Sequence, residues 1–68
     1  MTNTAKLKGR IIEYGYNLST FADEMKMSPP ALRKKITNKA DFRASEILHA
    51  CKLLNISQPE IPIYFFCG

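Results

Sequence analysis

Apolar residues recur along most of this chain at intervals of three and four, the spacing of one face of an α-helix. Within residues 5–15, Leu7, Ile11, Ile12 and Tyr14 fall at roughly that spacing. Gly15 is placed to end this first helix in the left-handed conformation that glycine adopts without strain. Leu18, Phe21, Ala22 and Met25 then sit at i, i+3, i+4 and i+7, predicting a short second helix over 18–25 with Asn17 as its N-cap.

A third helix is predicted over 30–36. Leu32 and Ile36 lie four apart on one face, and Arg33, Lys34 and Lys35 occupy the other. Proline suits a first helical turn, where its missing N–H has no intrahelical partner, but the residue before a proline is pushed out of the helical region. Pro30 is therefore read as the first helical residue and Pro29 as the residue outside it. Thr37, Asn38 and Lys39 form a turn, and Phe42 is the apolar anchor of the loop that follows. Over 44–55, Ile47, Ala50, Cys51 and Leu54 repeat the i, i+3, i+4, i+7 pattern, with Leu48 and Leu53 widening the stripe into a fourth helix. Ser57 is suited to capping a short fifth helix that runs through Ile61 and stops at Pro62. The end, 63–66, is apolar and β-prone; we read it as sealing the core, with pairing to another chain as the alternative.

At 68 residues the chain is expected to be one all-α domain, 1–68, of four to five helices. A domain this small buries only about 60% of its unfolded surface, so a homodimer or another partner is expected to help it. Cys51 and Cys67 are too few for a disulfide framework or a zinc site and are read as free thiols, Cys51 as a small core residue. Residues 1–10 are polar and basic with no apolar stretch behind them, and no segment suits a membrane span. The expected setting is the cytoplasm. Net charge is +4, but Lys26, Arg33, Lys34, Lys35, Lys39 and Arg43 lie in one stretch against Asp41 alone. Such a concentrated excess suits nucleic-acid phosphates or an acidic protein surface.

Two short helices around a tight turn, the second with a basic outer face, are the ingredients of a helix-turn-helix, whose second helix enters the DNA major groove. The details resemble the lambda-repressor-like and Cro-like family of phage and bacterial regulators. Phe21-Ala22 resembles the family's apolar-Ala pair, Met25 and Met27 the apolar residues flanking the turn, and Leu32 the buried residue of the recognition helix. Thr37-Asn38-Lys39 is similar to the polar turn after it. The run Leu7-Lys8-Gly9-Arg10-Ile11-Ile12 with Tyr16, and Ser45-Glu46-Ile47 through Leu54-Asn55-Ile56, are similar to the first and fourth helices of small phage-encoded members. The resemblance implies a role in a switch between lysis and lysogeny.

Three departures from the family pattern bear on function. Lys26 stands where glycine is usual, so it must take a left-handed conformation at about 1–2 kcal/mol or reshape the turn. Pro29 and Pro30 replace the polar pair that commonly opens the recognition helix, and proline reads no base edge. Lys35 occupies a usually apolar position, with Ile36 taking over the packing.

Two readings follow. In one, the chain is a transcriptional regulator that binds double-stranded operator DNA, alone or together with a repressor. Arg33, Lys34 and Lys35 then reach the groove or phosphates, Lys39 and Arg43 hold the backbone, Asn38 lies in the adjoining turn, and Ala31 touches a thymine methyl. In the other, the chain is an antirepressor that binds a phage repressor protein through the same basic helix, where Pro29 and Pro30 supply apolar contacts that DNA has no use for. No cofactor, metal or small-molecule substrate is expected. His49 and Cys51 are two apart on one helix and do not face each other, and no phosphate loop or convergent carboxylate pair is present, so the chain is not read as an enzyme.

Overall fold

The computed structural model describes residues 1–67, and its architecture is set by how each helix starts and stops. In order come α1 (Thr4–Glu13), α2 (Leu18–Glu24), α3 (Pro29–Ile36), α4 (Ala44–Leu53), a 3₁₀ turn (Gln58–Glu60) and α5 (Ile61–Phe65). The described residues contain no strand. Their radius of gyration, 10.6 Å, compares with roughly 11 Å expected of one compact unit of this length.

The starts of α1 to α4 are each satisfied by a short polar side chain or a carboxylate. The Asn3 side chain accepts the Lys6 N–H at 3.1 Å. Asn17 and Thr20 cap each other, with Thr20 N–H donating to Asn17 Oδ1 at 2.8 Å and Asn17 N–H donating to the Thr20 hydroxyl at 2.9 Å. Ser28 Oγ accepts the Ala31 N–H at 3.3 Å, and Glu46 Oε1 accepts the Arg43 N–H at 2.8 Å at the head of α4. These bonds satisfy N–H groups that have no partner inside a helix.

The first four helices end alike. Beyond each C-cap a residue takes positive φ: Gly15 (84°), Lys26 (58°), Asn38 (66°) and Asn55 (52°). The N–H of the next residue then reaches back to a carbonyl in the last turn, as Tyr16 to Ile11, Met27 to Ala22, Lys39 to Lys34 and Ile56 to Cys51. This is the Schellman closure, which satisfies orphan carbonyls and reverses the chain. Lys26 thus takes the left-handed option, giving up the freedom glycine would have had there.

These reversals fold four helices onto a shared core. Phe21, Leu7, Leu32, Ile36 and Leu54 are its largest fully buried side chains, joined by Ile11, Ala22, Met25, Ile47, Ala50, Cys51, Ile56, Tyr64 and Phe65. Small Ala22 and large Phe21 of α2 are both completely enclosed, and α2 and α3 pack against each other. Burial raises the pKa of the Cys51 thiol, which keeps it in the neutral form of a small apolar residue.

Several expectations are corrected. Helix 1 begins at Thr4 and ends at Glu13, because Asn3 caps it and the Gly15 closure lies beyond it. Ile12 and Tyr14 lie off the buried stripe of α1, which is made by Leu7 and Ile11 alone. Leu48, expected to widen the α4 stripe, points outward and is 57% exposed. Pro29, not Pro30, is the first residue of α3. Ser28 is the extended residue before it (φ −74°, ψ 152°), and both prolines occupy first-turn positions that need no N–H.

The end of the chain also differs. Pro62 does not stop a helix but lies in the first turn of α5, so residues 63–65 are helical, not extended. Tyr64 and Phe65 are buried, Phe65 meeting the Phe42 ring edge-on at 5.3 Å, while Ile63 and Phe66 stay exposed. The segment seals the core with half of its apolar residues.

Candidate binding face

The nine residues singled out in the sequence fall into two groups, seven of them on or just after the outer side of α3 and two engaged elsewhere. Arg33 and Lys34 are exposed on α3, and Lys39 and Arg43 are exposed on the turn and loop that follow. None of these four side chains has an ion pair or hydrogen-bond partner among the described residues. Pro30 is exposed, and Pro29 and Ala31 are half-buried at the head of the helix. Pro29, Pro30, Arg33, Lys34, Thr37 and Lys39 line a shallow groove of about 440 Å³. Its walls carry three cations and no carboxylate.

Lys35 and Asn38 are engaged elsewhere. Lys35 turns toward α4, where its ammonium meets both carboxylate oxygens of Glu46 at 2.6 Å, with both side chains largely covered. Ile36, beside it, fills the core. Partial burial pushes the Glu46 carboxyl up, but the Arg43 N–H and the Lys35 ammonium together outweigh it and leave the pKa below its ordinary value. Asn38 binds the chain's first residues: its Oδ1 accepts the Thr2 N–H at 2.8 Å and its Nδ2 donates to the Thr2 carbonyl at 3.0 Å. Thr4 Oγ1 donates to the Ile36 carbonyl at 2.7 Å, and the Asn3 N–H donates to the Tyr64 carbonyl at 2.8 Å. Residues 1–4 therefore strap the end of α3 to α5.

The head of α3 offers no open backbone donor. Pro29 and Pro30 have no N–H, the Ala31 N–H goes to Ser28 Oγ, and the Leu32 N–H goes to the Ser28 carbonyl. Anion recognition by a helix N-terminus, which relies on such groups, is closed here. An anionic partner must be met by the long side chains of Arg33, Lys34, Lys39 and Arg43.

Glu46 is not among the candidate site residues, and its cap on the Arg43 N–H has no clear signal in the sequence, because an arginine stands where a capping box has a short polar residue. Its second role, pairing with Lys35, depends on how α3 crosses α4 and has no local signature. Among the described residues, no group of three or more His, Cys, Asp or Glu is placed to hold a metal ion, and no helix is long and apolar enough to cross a membrane.

The fold and this face together define a small all-helical domain with one basic, proline-edged surface. The chain belongs to the family described as Protein of unknown function (DUF739), whose model matches residues 2–67. No curated protein matches it.

Proposed function

We propose that this protein is a small helix-turn-helix regulator of transcription, of the lambda-repressor-like and Cro-like kind, that meets operator DNA through the outer face of α3. The observation that carries the reading is the cluster of Arg33, Lys34, Lys39 and Arg43, exposed together on and just after the second helix of a tightly packed pair. Each such cation that meets a phosphate contributes a salt-dependent term, lowering the log–log slope of affinity against salt by about 0.9. Arg33 is the side chain best suited to reading a base, because its guanidinium can bond guanine bidentately. With no donor at the head of α3 and two prolines there, the surface positions itself on DNA more strongly than it selects a sequence. Selectivity then comes from a second copy on a two-half-site operator or from a repressor bound alongside.

A second reading is favoured by one specific observation, the groove edged by Pro29 and Pro30. Apolar rings beside three cations suit an acidic protein surface, so the chain would act as an antirepressor on a phage repressor protein, in the setting of a lysis–lysogeny switch. A gel-shift titration against the intergenic DNA of the protein's own operon, at two salt concentrations, with and without the neighbouring repressor, separates the two. A sequence-specific shift by the protein alone supports operator binding. No shift alone, with relief of the repressor's shift, supports the antirepressor reading; an inert protein in both lanes contradicts both.

A further inference from the structure

On the other flank of Arg33 and Thr37 lies a second trough, about 400 Å³ in volume, lined by Lys8, Ile11, Ile12, Asn17, Leu18, Arg33, Ile36 and Thr37. Three helices build it: α1 gives one wall, the start of α2 closes one end, and the last turn of α3 gives the other wall. Its floor is aliphatic. Ile11 and Ile36 are buried at the bottom, Leu18 is half-buried, and Ile12 stands on the rim 70% exposed. Scattered exposed aliphatic residues need no explanation, but Ile12 continues an apolar surface that runs down to the core. The only charges in the lining are the cations Lys8 and Arg33, one on each wall.

We propose that this trough docks an acidic amphipathic helix of a partner protein. Aliphatic side chains spaced on one helix face fill the floor, as in helix-in-groove recognition, and carboxylates on either flank of that stripe meet Lys8 and Arg33. Duplex DNA has no apolar ridge to place against Ile12 and Leu18. A second copy of this chain carries net charge +4, which sets like charge against the rim. The inference goes beyond the proposed function, since it concerns a different surface and stands or falls without DNA binding. The two surfaces share Arg33 and Thr37, so an occupant of the trough also takes Arg33 out of use for the basic face.

The test uses two synthetic helical peptides with leucines at i, i+3, i+4 and i+7, one with glutamates and one with lysines on the flanking positions. Each is titrated into the full ¹⁵N-labelled chain. The glutamate peptide is expected to shift the amides of Lys8, Ile12, Leu18, Arg33 and Thr37, and to bind at least about tenfold more tightly than the lysine peptide. Ile12→Asp, on an exposed rim position that the fold does not need, is expected to weaken it by about tenfold while leaving DNA affinity at the wild-type value. Absence of binding at millimolar glutamate peptide overturns the proposal. So do equal affinities for the two peptides, shifts confined to another face, indifference to Ile12→Asp, or a DNA duplex that perturbs Ile12 and Leu18 as strongly as it perturbs Lys34 and Lys39.

Discussion

The ends of α1, α2 and α4 and the end of α3 are built on one backbone plan and serve different purposes. In all four a left-handed residue reverses the chain and the next N–H closes onto the last turn. After α1, α2 and α4 that next residue is Tyr16, Met27 or Ile56, each packed on or in the core, the hydrophobic contact that commonly accompanies this closure. After α3 it is Lys39, exposed. The end of α3 is held instead by the Asn38–Thr2 bonds, the Thr4 hydroxyl and the Lys35–Glu46 pair. Polar ties thus replace an apolar clamp at the one helix whose end borders the basic face, leaving a cation where the others have a core residue.

The largest effect on stability is expected from Phe65→Ala, which opens the seal over the core and removes the edge-on contact with Phe42, at about 3–5 kcal/mol. In a chain this small, that is most of its stability, so urea titration should show a variant near its unfolding midpoint without denaturant. Removing residues 63–66 should likewise cost helicity, because Tyr64 and Phe65 belong to the core.

Next comes the polar bracing of α3. Glu46→Gln removes the charge that holds Lys35 and weakens the cap on the Arg43 N–H, for a loss of about 1 kcal/mol. The pH dependence has a definite sign. The folded pKa of Glu46 is depressed below its ordinary 4.5, so its contribution is full above that value and is lost as pH falls through the lower folded pKa. Denaturation midpoints measured between neutral pH and pH 3 should decline more steeply for the wild type than for Glu46→Gln. Parallel curves would show that the pair contributes nothing.

Much of this organisation was legible in the sequence and some was not. The buried stripes of α2, α3 and α4 follow from apolar periodicity, because a short helix that makes one face of a small core has little choice about orientation. Leu48 and Ile12 broke that rule, since periodicity marks residues able to be buried and the neighbouring helices decide which are. The residue types of the C-terminal segment favour a strand, yet a 3₁₀ turn feeds it directly into α5, where Pro62 suits the first turn. The candidate site was half legible. Arg33, Lys34, Lys39 and Arg43 are marked by local charge, whereas the diversion of Lys35 to Glu46 and Asn38 to Thr2 depends on contacts across 11 and 36 residues of sequence. No local pattern encodes those.

Two smaller effects sharpen the picture of the helix ends. Lys26→Gly places glycine at a left-handed position and should stabilise the chain by up to about 1 kcal/mol, and Asn55→Gly should do so less strongly, because asparagine tolerates that conformation better. Gly9→Ala, in the interior of α1 where an added Cβ meets nothing within 4 Å, should stabilise by about 0.5–1 kcal/mol. Both are read from thermal melts, and a lower melting temperature for either would contradict the backbone account.

The most direct test of the central claim, that the exposed cations and not the engaged ones form the working surface, compares two double variants in fluorescence anisotropy titrations against operon intergenic DNA at low and high salt. Arg33→Glu with Lys34→Glu should abolish binding while the fold persists. Lys35→Gln with Asn38→Ala should lower the melting temperature yet bind with the wild-type salt slope. If the second pair loses affinity and slope while the first retains both, the division of this face into working and bracing residues is wrong.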